Sequence, residues 1–402
     1  MRSAVLAKSV SGLTRRRGRT AVSVATLGLA VASLWIFAVT PLMDDRMASE
    51  VARNRLADLT VDIRPQPVDA AVLARLRALP NVAAVEPRSA FTTRVYAGGG
   101  RRERALLVGV PDFRRQQADV VRVTSGAAPS APGTALTEVQ NARQGRFDGG
   151  RGDVARVIGA DGRTRALRLT GEGRNLGGAQ AVTGDDKAVV FYTTPATVAA
   201  VRGSPGATSL AFRLRDASPP AARRTLAAVR DVLRAGLPGF TGFSTLPDVR
   251  APGDWPGKAI FEDFGTLFLI VTALALLSGL VLISGTMNAM VAEEAGEIAT
   301  MRAVGARRRQ VAAVYLRTAL LLGALGAAVG VPLGVLLANA MVAFFGSSFF
   351  AIDAGFGVSW PWVAASAVLG IAGPALAALP AVRRGVRRPL QETLAAAGLP
   401  AA

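Results

Sequence analysis

Hydrophobic and polar positions separate along this chain into whole segments. Four long runs contain no ionisable side chain, and they span residues 20–41, 264–292, 318–345 and 358–382. Each run reaches or exceeds the roughly 20 apolar residues that a helix needs to cross the hydrocarbon core of a bilayer. A buried helix of a soluble protein would be shorter and would show a polar face. The pattern therefore predicts four transmembrane helices.

Charged residues at the ends of these runs predict the orientation. Arginine clusters precede the first run (Arg15–Arg17), follow the second (Arg307–Arg309) and follow the fourth (Arg383, Arg384). Four spans put these clusters on one side, and the positive-inside rule makes that side cytoplasmic. The net charge of +19 is thus interpreted as a topology signal in contact with anionic lipid rather than as a nucleic-acid surface. We expect an inner-membrane protein of a bacterium, with both termini cytoplasmic.

The first run follows a short segment that resembles the start of a signal peptide. The run is too long for a typical signal sequence, and no small-residue cleavage site closes it, so we expect it to remain as a span. Within residues 1–19, Leu6, Val10 and Leu13 recur at helical spacing. This spacing predicts a short amphipathic helix on the cytoplasmic membrane surface.

A polar segment of about 220 residues, 42–263, separates the first and second runs and is long enough for a large domain. Two strand–helix–strand patterns, at 59–90 and 209–246, predict an α+β part formed by 42–124 together with 206–263. Short alternating runs between Gly and Asp turns predict a β-rich insertion at 125–205. The fold class is therefore an α-helical membrane protein with four transmembrane helices and a large α+β extracytoplasmic domain inserted between helices 1 and 2.

Catalytic and metal-binding patterns are scarce. The chain has no cysteine and no histidine, which excludes disulfides, thiolate metal sites and a Ser-His-Asp triad. It has no GxxxxGK[ST] sequence, so it carries no P-loop for ATP. The glycine-rich GRNLGG at 173–178 is interpreted as a turn without the strand–loop–helix context of a phosphate site. The acid pairs Asp44–Asp45 and Asp185–Asp186 are interpreted as solvent-facing. We expect no catalytic, cofactor or metal site in this chain.

The third run carries glycines at four-residue spacing, Gly326, Gly330 and Gly334. Small residues on one face of a helix allow close helix approach in lipid. The spacing predicts a helix-packing face, either within the chain or against a second protomer. The runs hold no ionisable group that would serve a proton or ion relay, and four helices are few for alternating access.

The segment 293–310, EEAGEIATMRAVGARRRQ, is longer than a turn between two spans requires. Acids come first and arginines last, as the dipole of a helix favours. Ile298, Met301 and Val304 form an apolar stripe, and Gly305 is a candidate C-cap. A helix with such a stripe in the cytoplasm is interpreted as a docking site for a separate, energy-supplying subunit.

This segment also carries a family resemblance. The stretch EIATMRAVGARRRQV, followed by a glycine-rich span, closely resembles the signature of the FtsX-like permeases of ABC transporters. The matching positions are Glu297, Ile298, Arg302, Ala303, Gly305 and Ala306. The order of one span, a large domain and three more spans also resembles that family, and the size of the domain favours its MacB-like branch of type VII ABC transporters.

The resemblance implies a permease that is not itself an enzyme and works as a homo- or heterodimer with a cytoplasmic P-loop ATPase. ATP and Mg would be bound by the ATPase, and their turnover would move the helices and the extracytoplasmic domain (mechanotransmission). An efflux role for a hydrophobic or peptide-like substrate is expected, with an extracytoplasmic adaptor or lipoprotein as a possible further partner. Lipoprotein release, or regulation of cell-wall enzymes or a sensor complex without transport, remain alternatives. The expected ATPase-coupling residues are Glu297, Ile298, Met301, Arg302 and Gly305.

The full predicted organisation follows from these points. It comprises a cytoplasmic helix (1–19), transmembrane helix 1 (20–41), the extracytoplasmic domain (42–263), transmembrane helix 2 (264–292), the coupling segment (293–317), transmembrane helix 3 (318–345), an external loop (346–357), transmembrane helix 4 (358–382) and a cytoplasmic tail (383–402).

Overall fold

The computed structural model describes residues 17–184, 187–293, 296, 300, 305–352 and 355–387. These residues form two compact units. The helical unit takes its described residues from the ranges 17–42, 261–342 and 355–387, and the α+β unit takes them from 43–260 and 343–352.

The described helices and strands follow one another in chain order. They are α1 (Arg17–Ser33), α2 (Ile36–Arg53), β1 (Leu59–Gln66), α3 (Ala70–Arg77), β2 (Val82–Tyr96), β3 (Arg102–Gly109), β4 (Arg122–Gly126), β5 (Thr134–Glu138), α4 (Val139–Arg143), β6 (Val154–Ile158), β7 (Thr164–Arg174), α5 (Leu176–Thr183), β8 (Val189–Thr193), α6 (Pro195–Arg202), β9 (Ala207–Leu214), α7 (Pro219–Gly236), β10 (Asp248–Val249), α8 (Lys258–Glu293), α9 (Arg308–Phe350) and α10 (Trp360–Arg387).

Three helical stretches in the described part of the chain are long and apolar enough to cross a membrane: Thr20–Arg53, Arg308–Phe350 and Trp360–Pro380. Helix α8 contributes a shorter apolar stretch, Leu269–Val281. Many large apolar side chains on these helices are exposed, among them Leu29, Val329 and Leu376. Such a surface is suited to lipid rather than to water.

The helices are longer than their apolar runs. Helix α2 continues past the predicted end at residue 41 to Arg53, and α9 begins at Arg308 and reaches Phe350. The predicted external loop at 346–357 is therefore helical in its first part. Hydrophobicity marks the part of a helix that suits lipid, whereas the helix itself continues until its backbone hydrogen bonds are interrupted.

A local break separates α1 from α2. The amide N–H groups of Leu34 and Trp35 donate to the carbonyl oxygens of Val31 and Ala32, three residues back, at 3.2 and 3.1 Å. Pro41 in α2 has no N–H to donate to Phe37. The tightened turn and the proline together interrupt the regular α-helical pattern within the first apolar run.

The α+β unit is organised by a sheet whose described strands run in the order β10-β1-β9-β2-β3-β8-β5-β7-β4, with β6 pairing to β2 and β7. The long strand β2 pairs with β9 along its first half and with β3 along its second half. Both halves of the unit thus share one strand. The β-rich half begins within β2, earlier than the predicted boundary at residue 125.

Each half of the sheet has its own core. Helices α3 and α7 cover the first half, where Leu59, Leu76, Phe212 and Val229 are fully buried. Leu107, Leu167, Phe191 and other residues fill the second half. Val72 and Leu76 of α3 are buried in the first core, and Leu73 and Leu79 pack partly against it.

One predicted strand does not form. The stretch 239–246 is irregular, although the N–H of Ser244 donates to the carbonyl oxygen of Asp62 in β1 at 2.9 Å. A short strand forms after it, where Asp248–Val249 pairs with β1. Gly239 and Gly242 have φ angles of +74° and +149°, which turn the chain away from a continuous strand. The rings of Phe240 and Phe243 instead pack edge to face with centroids 5.7 Å apart.

Candidate functional site

The predicted ATPase-coupling residues fall mostly outside the described residues. Glu297, Ile298, Met301 and Arg302 are among the positions that the structure does not describe. Gly305 is described: it is exposed, has a φ of +98° and lies just before α9. This backbone conformation favours glycine over residues with a Cβ atom.

The glycines of α9 lie against α1 and the turn that follows it. A Cβ atom placed on Gly326 would lie 2.6 Å from Leu27 Cβ, and one on Gly330 would lie 2.5 Å from the carbonyl oxygen of Gly28. A Cβ atom on Gly334 would lie 2.2 Å from Cδ1 of Trp35. All three distances are far below van der Waals contact, so these positions have no room for a larger residue. We call this surface the glycine seam.

A second close approach joins α9 to α10. A Cβ atom on Gly323 would lie 2.7 Å from the carbonyl oxygen of Gly370, and one on Gly370 would lie 2.8 Å from Val31 Cγ2. Tyr315 and Leu322 of α9 are buried in a cluster with Leu27 and Ala378. Helices α1, α9 and α10 are thus packed at short range by small residues and apolar side chains.

The α+β unit contains a different kind of contact at the ends of two helices. The last part of α2, from Met43, and the segment from Ala343 to Ile352 belong to this unit. The buried carboxylate of Glu50 on α2 accepts a hydrogen bond from Arg174 Nη2 at 2.8 Å. It also forms an ion pair with Arg53 at 2.9 Å, and Arg122 Nη1 lies 3.8 Å from it. Glu50 therefore joins the end of α2 to strands β4 and β7.

Arg174 makes a second contact that involves the end of α9. Its Nη1 donates to the carbonyl oxygen of Ala351 at 2.6 Å. Ala351 has a φ of +53°, a left-handed conformation that is uncommon for alanine. One guanidinium thus binds a carboxylate of α2 and the residue that follows α9.

Side chains of α4 and the turn after it bind the same segment. Gln140 Nε2 and Arg143 Nη1 both donate to the carbonyl oxygen of Ser347 at 3.1 Å, and Gln144 Nε2 donates to that of Ser348 at 2.7 Å. These carbonyl groups belong to the last turn of α9, where a helix leaves carbonyl oxygens available to side-chain donors. We call Glu50, Arg174, Gln140, Arg143, Gln144 and the segment Ser347–Ala351 the helix-end cluster.

Asp44 and Trp255 extend these contacts to the segment before α8. The indole Nε1 of Trp255 donates to Asp44 Oδ1 at 2.7 Å, and Lys258 Nζ lies 3.7 Å from the same oxygen. The Trp255 ring packs edge to face on Phe350, with centroids 5.7 Å apart. Asp44 is therefore only partly solvent-facing, since it also binds Trp255 and Lys258, whereas Asp45 is exposed. Asp185 and Asp186 lie outside the described residues.

A buried carboxyl group lies next to the helix-end cluster in the chain. Glu138, at the end of β5, accepts hydrogen bonds through Oε2 from the Tyr192 hydroxyl and from the backbone N–H of Asn175. Its other oxygen, Oε1, is buried without a hydrogen-bond partner in the described structure. Burial raises the pKa of Glu138 from its usual 4.5 to about 7, opposed by these hydrogen bonds and by the charge of Arg174.

The glycine-rich stretch 173–178 forms the junction between β7 and α5. Asn175 caps α5 by accepting from the N–H of Gly178 at 3.1 Å. A Cβ atom on Gly178 would lie 1.8 Å from the Tyr192 hydroxyl. The strand–loop–helix context that the sequence was expected to lack is therefore present, and Gly178 provides room for Tyr192.

The residues of the helix-end cluster carry no recognisable sequence signal. Glu50 and Arg174 are separated by more than 120 positions in a chain with many arginines. Charged residues are frequent directly after the first apolar run, but they do not indicate which partners they meet. Only the folded chain brings these groups together.

The comparison with known families concerns the C-terminal helices. Residues 269–390 match the family model described as FtsX-like permease C-terminal. This region is similar to the C-terminal part of the FtsX-like permeases. The match covers the glycine seam positions on α9 and the segment that contains Glu297–Gly305. Together with the apolar helices, the match indicates a membrane protein whose C-terminal part resembles a permease.

Other comparisons add less. No curated protein matches the chain. It is similar to the extracellular domain of the noncanonic ABC-type transporter YknZ from Gram-positive bacteria, with 10% identity, a TM-score of 0.30 and coverage of 44% of this chain and 93% of that chain. It is also similar to the periplasmic region of MacB from Actinobacillus actinomycetemcomitans, with 12% identity, a TM-score of 0.31 and coverage of 46% and 87%. TM-scores this low do not establish a shared fold.

Proposed function

We propose that this chain is the permease subunit of an ATP-binding cassette transporter and that it converts the motion of a separate ATPase into movement of its α+β domain. In this proposal four helices cross the inner membrane, the α+β domain is extracytoplasmic, and two permease protomers act together. The cytoplasmic ATPase binds ATP and Mg. The movement drives export of a hydrophobic or peptide-like substrate.

The observation that carries the proposal is the family match over residues 269–390. The helix-end cluster supplies a physical route for the motion. Glu50 near the end of α2 and Ala351 just after α9 are bound by the same side chain, Arg174 of β7. A displacement of either helix end would act on the sheet through this guanidinium. The charged hydrogen bonds involved are stronger than neutral ones.

The glycine seam supports the other half of this mechanism. Helices packed at backbone distance transmit a displacement with little loss, because protein interiors are dense and resist compression. Gly326, Gly330 and Gly334 place α9 in such contact with α1 and Trp35. We propose that α1 and α9 move together, with Glu297, Ile298, Met301, Arg302 and Gly305 forming the contact with the ATPase.

The first experiment is affinity purification of the permease from native membranes in a mild detergent. We expect a P-loop ATPase to co-purify with the wild-type chain and to be lost in Glu297→Arg, because the charge at the proposed contact is reversed. Glu392→Arg provides the matched control, since it makes the same reversal in the C-terminal tail. Size-exclusion profiles of both variants should match that of the wild type.

Two outcomes would contradict the proposal. If no ATPase accompanies the wild-type permease, the assignment to an ATP-driven complex fails. If Glu297→Arg retains the ATPase as fully as Glu392→Arg does, the coupling contact lies elsewhere. A wall hydrolase or a sensor kinase in the purified complex would favour regulation over export, and a lipoprotein carrier would favour lipoprotein release.

A further inference from the structure

The α+β unit contains an open cavity that the proposed mechanism does not use. Its volume is about 510 Å³, within the roughly 300–1,000 Å³ typical of small-molecule sites. It is bounded by strands β1, β3 and β9, by the start of α5 and by the segment that leads into α8. Every lining residue belongs to the α+β unit.

The basic side chains that line this cavity are already engaged. Arg88 Nη2 donates to the carbonyl oxygens of Ala118 and Asp119 at 2.7 and 3.1 Å, and Arg88 Nη1 lies 2.9 Å from Glu86 Oε1. Arg250 donates through Nε to the carbonyl oxygen of Ala57 at 2.9 Å and through Nη1 to that of Asp254 at 3.1 Å.

The remaining contacts of these basic groups are with two acids and one carbonyl oxygen. Arg250 Nη2 is paired with Asp58, which Arg213 also contacts at 3.0 Å. Lys258 Nζ donates to the carbonyl oxygen of Gly253 at 3.2 Å and lies 3.7 Å from Asp44. Each basic group of the lining therefore already has an acid outside the lining as a partner, and most of its donors are directed at those acids and at carbonyl oxygens.

The carboxylates of the lining, in contrast, keep free acceptor positions. Asp119 Oδ1 accepts from the N–H of Ala57 at 2.7 Å, and its Oδ2 has no hydrogen-bond partner in the described part of the chain. Asp248 and Asp254 line the same cavity. Thr60, Ser209 and Gln180 add side chains with no hydrogen bond to other described residues. The carboxylates can only accept hydrogen bonds when ionised, whereas the two hydroxyl groups and the amide can donate or accept.

The N-terminus of α5 carries the partial positive charge of a helix dipole, which favours an anion. Two acceptors already meet the N–H groups there: the Asn175 side chain accepts from Gly178, and the Glu138 carboxyl group accepts from Asn175. The helix has eight residues, so its dipole is short. The carboxylates therefore determine the sign of the charge that this cavity favours.

Apolar side chains form the other part of the wall. Leu106 and Val108 of β3 line the cavity together with Val121 and Trp255. A site with apolar walls and a few convergent polar groups has the usual composition of a pocket for a small organic molecule.

We propose that this cavity binds a small ammonium compound, whose positive charge lies at Asp119 and whose apolar part packs against Leu106, Val108 and Val121. Burial raises the pKa of Asp119, partly offset by its bond from Ala57 and by the charges of Arg88 and Arg250. A bound cation would stabilise the charged carboxylate further. The inference concerns the α+β unit alone and does not require an ATPase.

Three compounds that share an indole ring and differ in charge test the proposal. Tryptamine is a cation, N-acetyltryptamine is neutral, and indole-3-propionate is an anion. Their binding to the full permease in lipid nanodiscs is measured by isothermal titration calorimetry, with empty nanodiscs as the blank. We expect tryptamine to bind at least about tenfold more tightly than the other two, a difference of about 1.4 kcal/mol.

Variants locate the binding. Asp119→Asn keeps an oxygen for the Ala57 N–H but removes the charge. The affinity of this variant for tryptamine should therefore fall to its affinity for N-acetyltryptamine. Asp231→Asn, at a side chain that is 75% exposed on α7, should change nothing. Ser209→Phe places a ring in the cavity without removing a described side-chain hydrogen bond, and should weaken all three compounds. Circular dichroism and the unfolding midpoint verify that each variant is folded.

Several results would overturn the proposal. Equal affinities for the three compounds would show that the cavity does not recognise charge. Binding that does not saturate above the blank would show that the cavity is not a binding site for these compounds. Tryptamine binding that is unchanged in folded Asp119→Asn would show that the charge is recognised elsewhere. If Asp119→Asn does not fold, unchanged binding in folded Ser209→Phe has the same consequence.

Discussion

The glycine seam and the helix-end cluster hold two parts of α9 in different ways. In the seam, α1 and α9 approach until a Cβ atom on Gly330 would lie 2.5 Å from a backbone oxygen. In the cluster, α2 and α9 end in hydrogen bonds to Arg174, Gln140, Arg143 and Gln144. The seam depends on the absence of side chains, whereas the cluster depends on particular polar atoms.

This difference follows from the surroundings. Lipid provides no hydrophobic force between helices, so van der Waals contact of small residues drives their packing. Outside the apolar runs the last carbonyl groups of a helix require donors. We therefore expect the seam to respond to side-chain volume and the cluster to respond to charge and pH.

The largest effect is expected from Gly330→Leu. The new side chain would overlap the Gly28 backbone and Val31, which a flexible neighbour cannot relieve. We expect destabilisation at or beyond the upper end of the roughly 1–3 kcal/mol found for overpacked cores. The measurement is the yield and thermal aggregation midpoint in detergent by fluorescence-detected size-exclusion chromatography.

Gly285→Leu is the matched control for the seam. It introduces the same side chain into α8, where a Cβ atom on Gly285 would meet no atom of another described element within 4 Å. Its midpoint should remain close to that of the wild type. A normal midpoint for Gly330→Leu would show that α1 and α9 do not approach as closely as the seam requires.

A second effect concerns the stability of the α+β unit between about pH 4.5 and 7. Glu138 has a pKa of about 7 when folded and 4.5 when exposed, so in this window the folded state holds one more proton than the unfolded state. The contribution of Glu138 to the free energy of unfolding is fully present below pH 4.5. It is lost as the pH rises through 7, by no more than about 3 kcal/mol. Urea unfolding of the permease in detergent, followed by tryptophan fluorescence, measures this slope.

Glu138→Gln isolates the contribution of this carboxyl group. The amide keeps an oxygen for Tyr192 and Asn175 but does not titrate, so the slope should become flatter than that of the wild type. Asp161→Asn, which alters an exposed acid of the same unit, should retain the wild-type slope. Parallel slopes for wild type and Glu138→Gln would mean that the folded carboxyl group titrates normally.

The smallest effect is expected from Arg174→Met. It removes the bonds to Glu50 and to the carbonyl oxygen of Ala351, at a cost of about 2 kcal/mol for charged hydrogen bonds. Hydrogen exchange in 43–53 and 343–352 should accelerate, while exchange in the seam helices stays unchanged. Both segments are measured by mass spectrometry of the intact permease.

Arg122→Met is the control for this comparison. Arg122 also faces Glu50, but at 3.8 Å and with a side chain that is 44% exposed, so its loss should have a smaller effect on exchange. If both variants accelerate hydrogen exchange equally, Arg174 has no special role among the arginines around Glu50. If neither accelerates exchange, Arg174 does not hold the helix ends.

The amino-acid sequence by itself determined the apolar runs, the glycine spacing of α9 and the strand–helix patterns around 59–90 and 209–237. These features are local, because hydrophobicity, residue volume and periodicity act over neighbouring positions. The family match over residues 269–390 agrees with the resemblance inferred from EIATMRAVGARRRQV. The strand predicted at 239–246 failed because two glycines with positive φ turn the chain there.

Only the tertiary structure decided which polar residues meet. Glu50, Arg174 and Ala351 come from distant parts of the chain, and nothing in their local sequence marks them among many similar residues. The same holds for Glu138 and Tyr192, whose altered pKa values result from burial. Burial and hydrogen-bond partners are properties of the whole fold, so they become visible only when the strands and helices are packed.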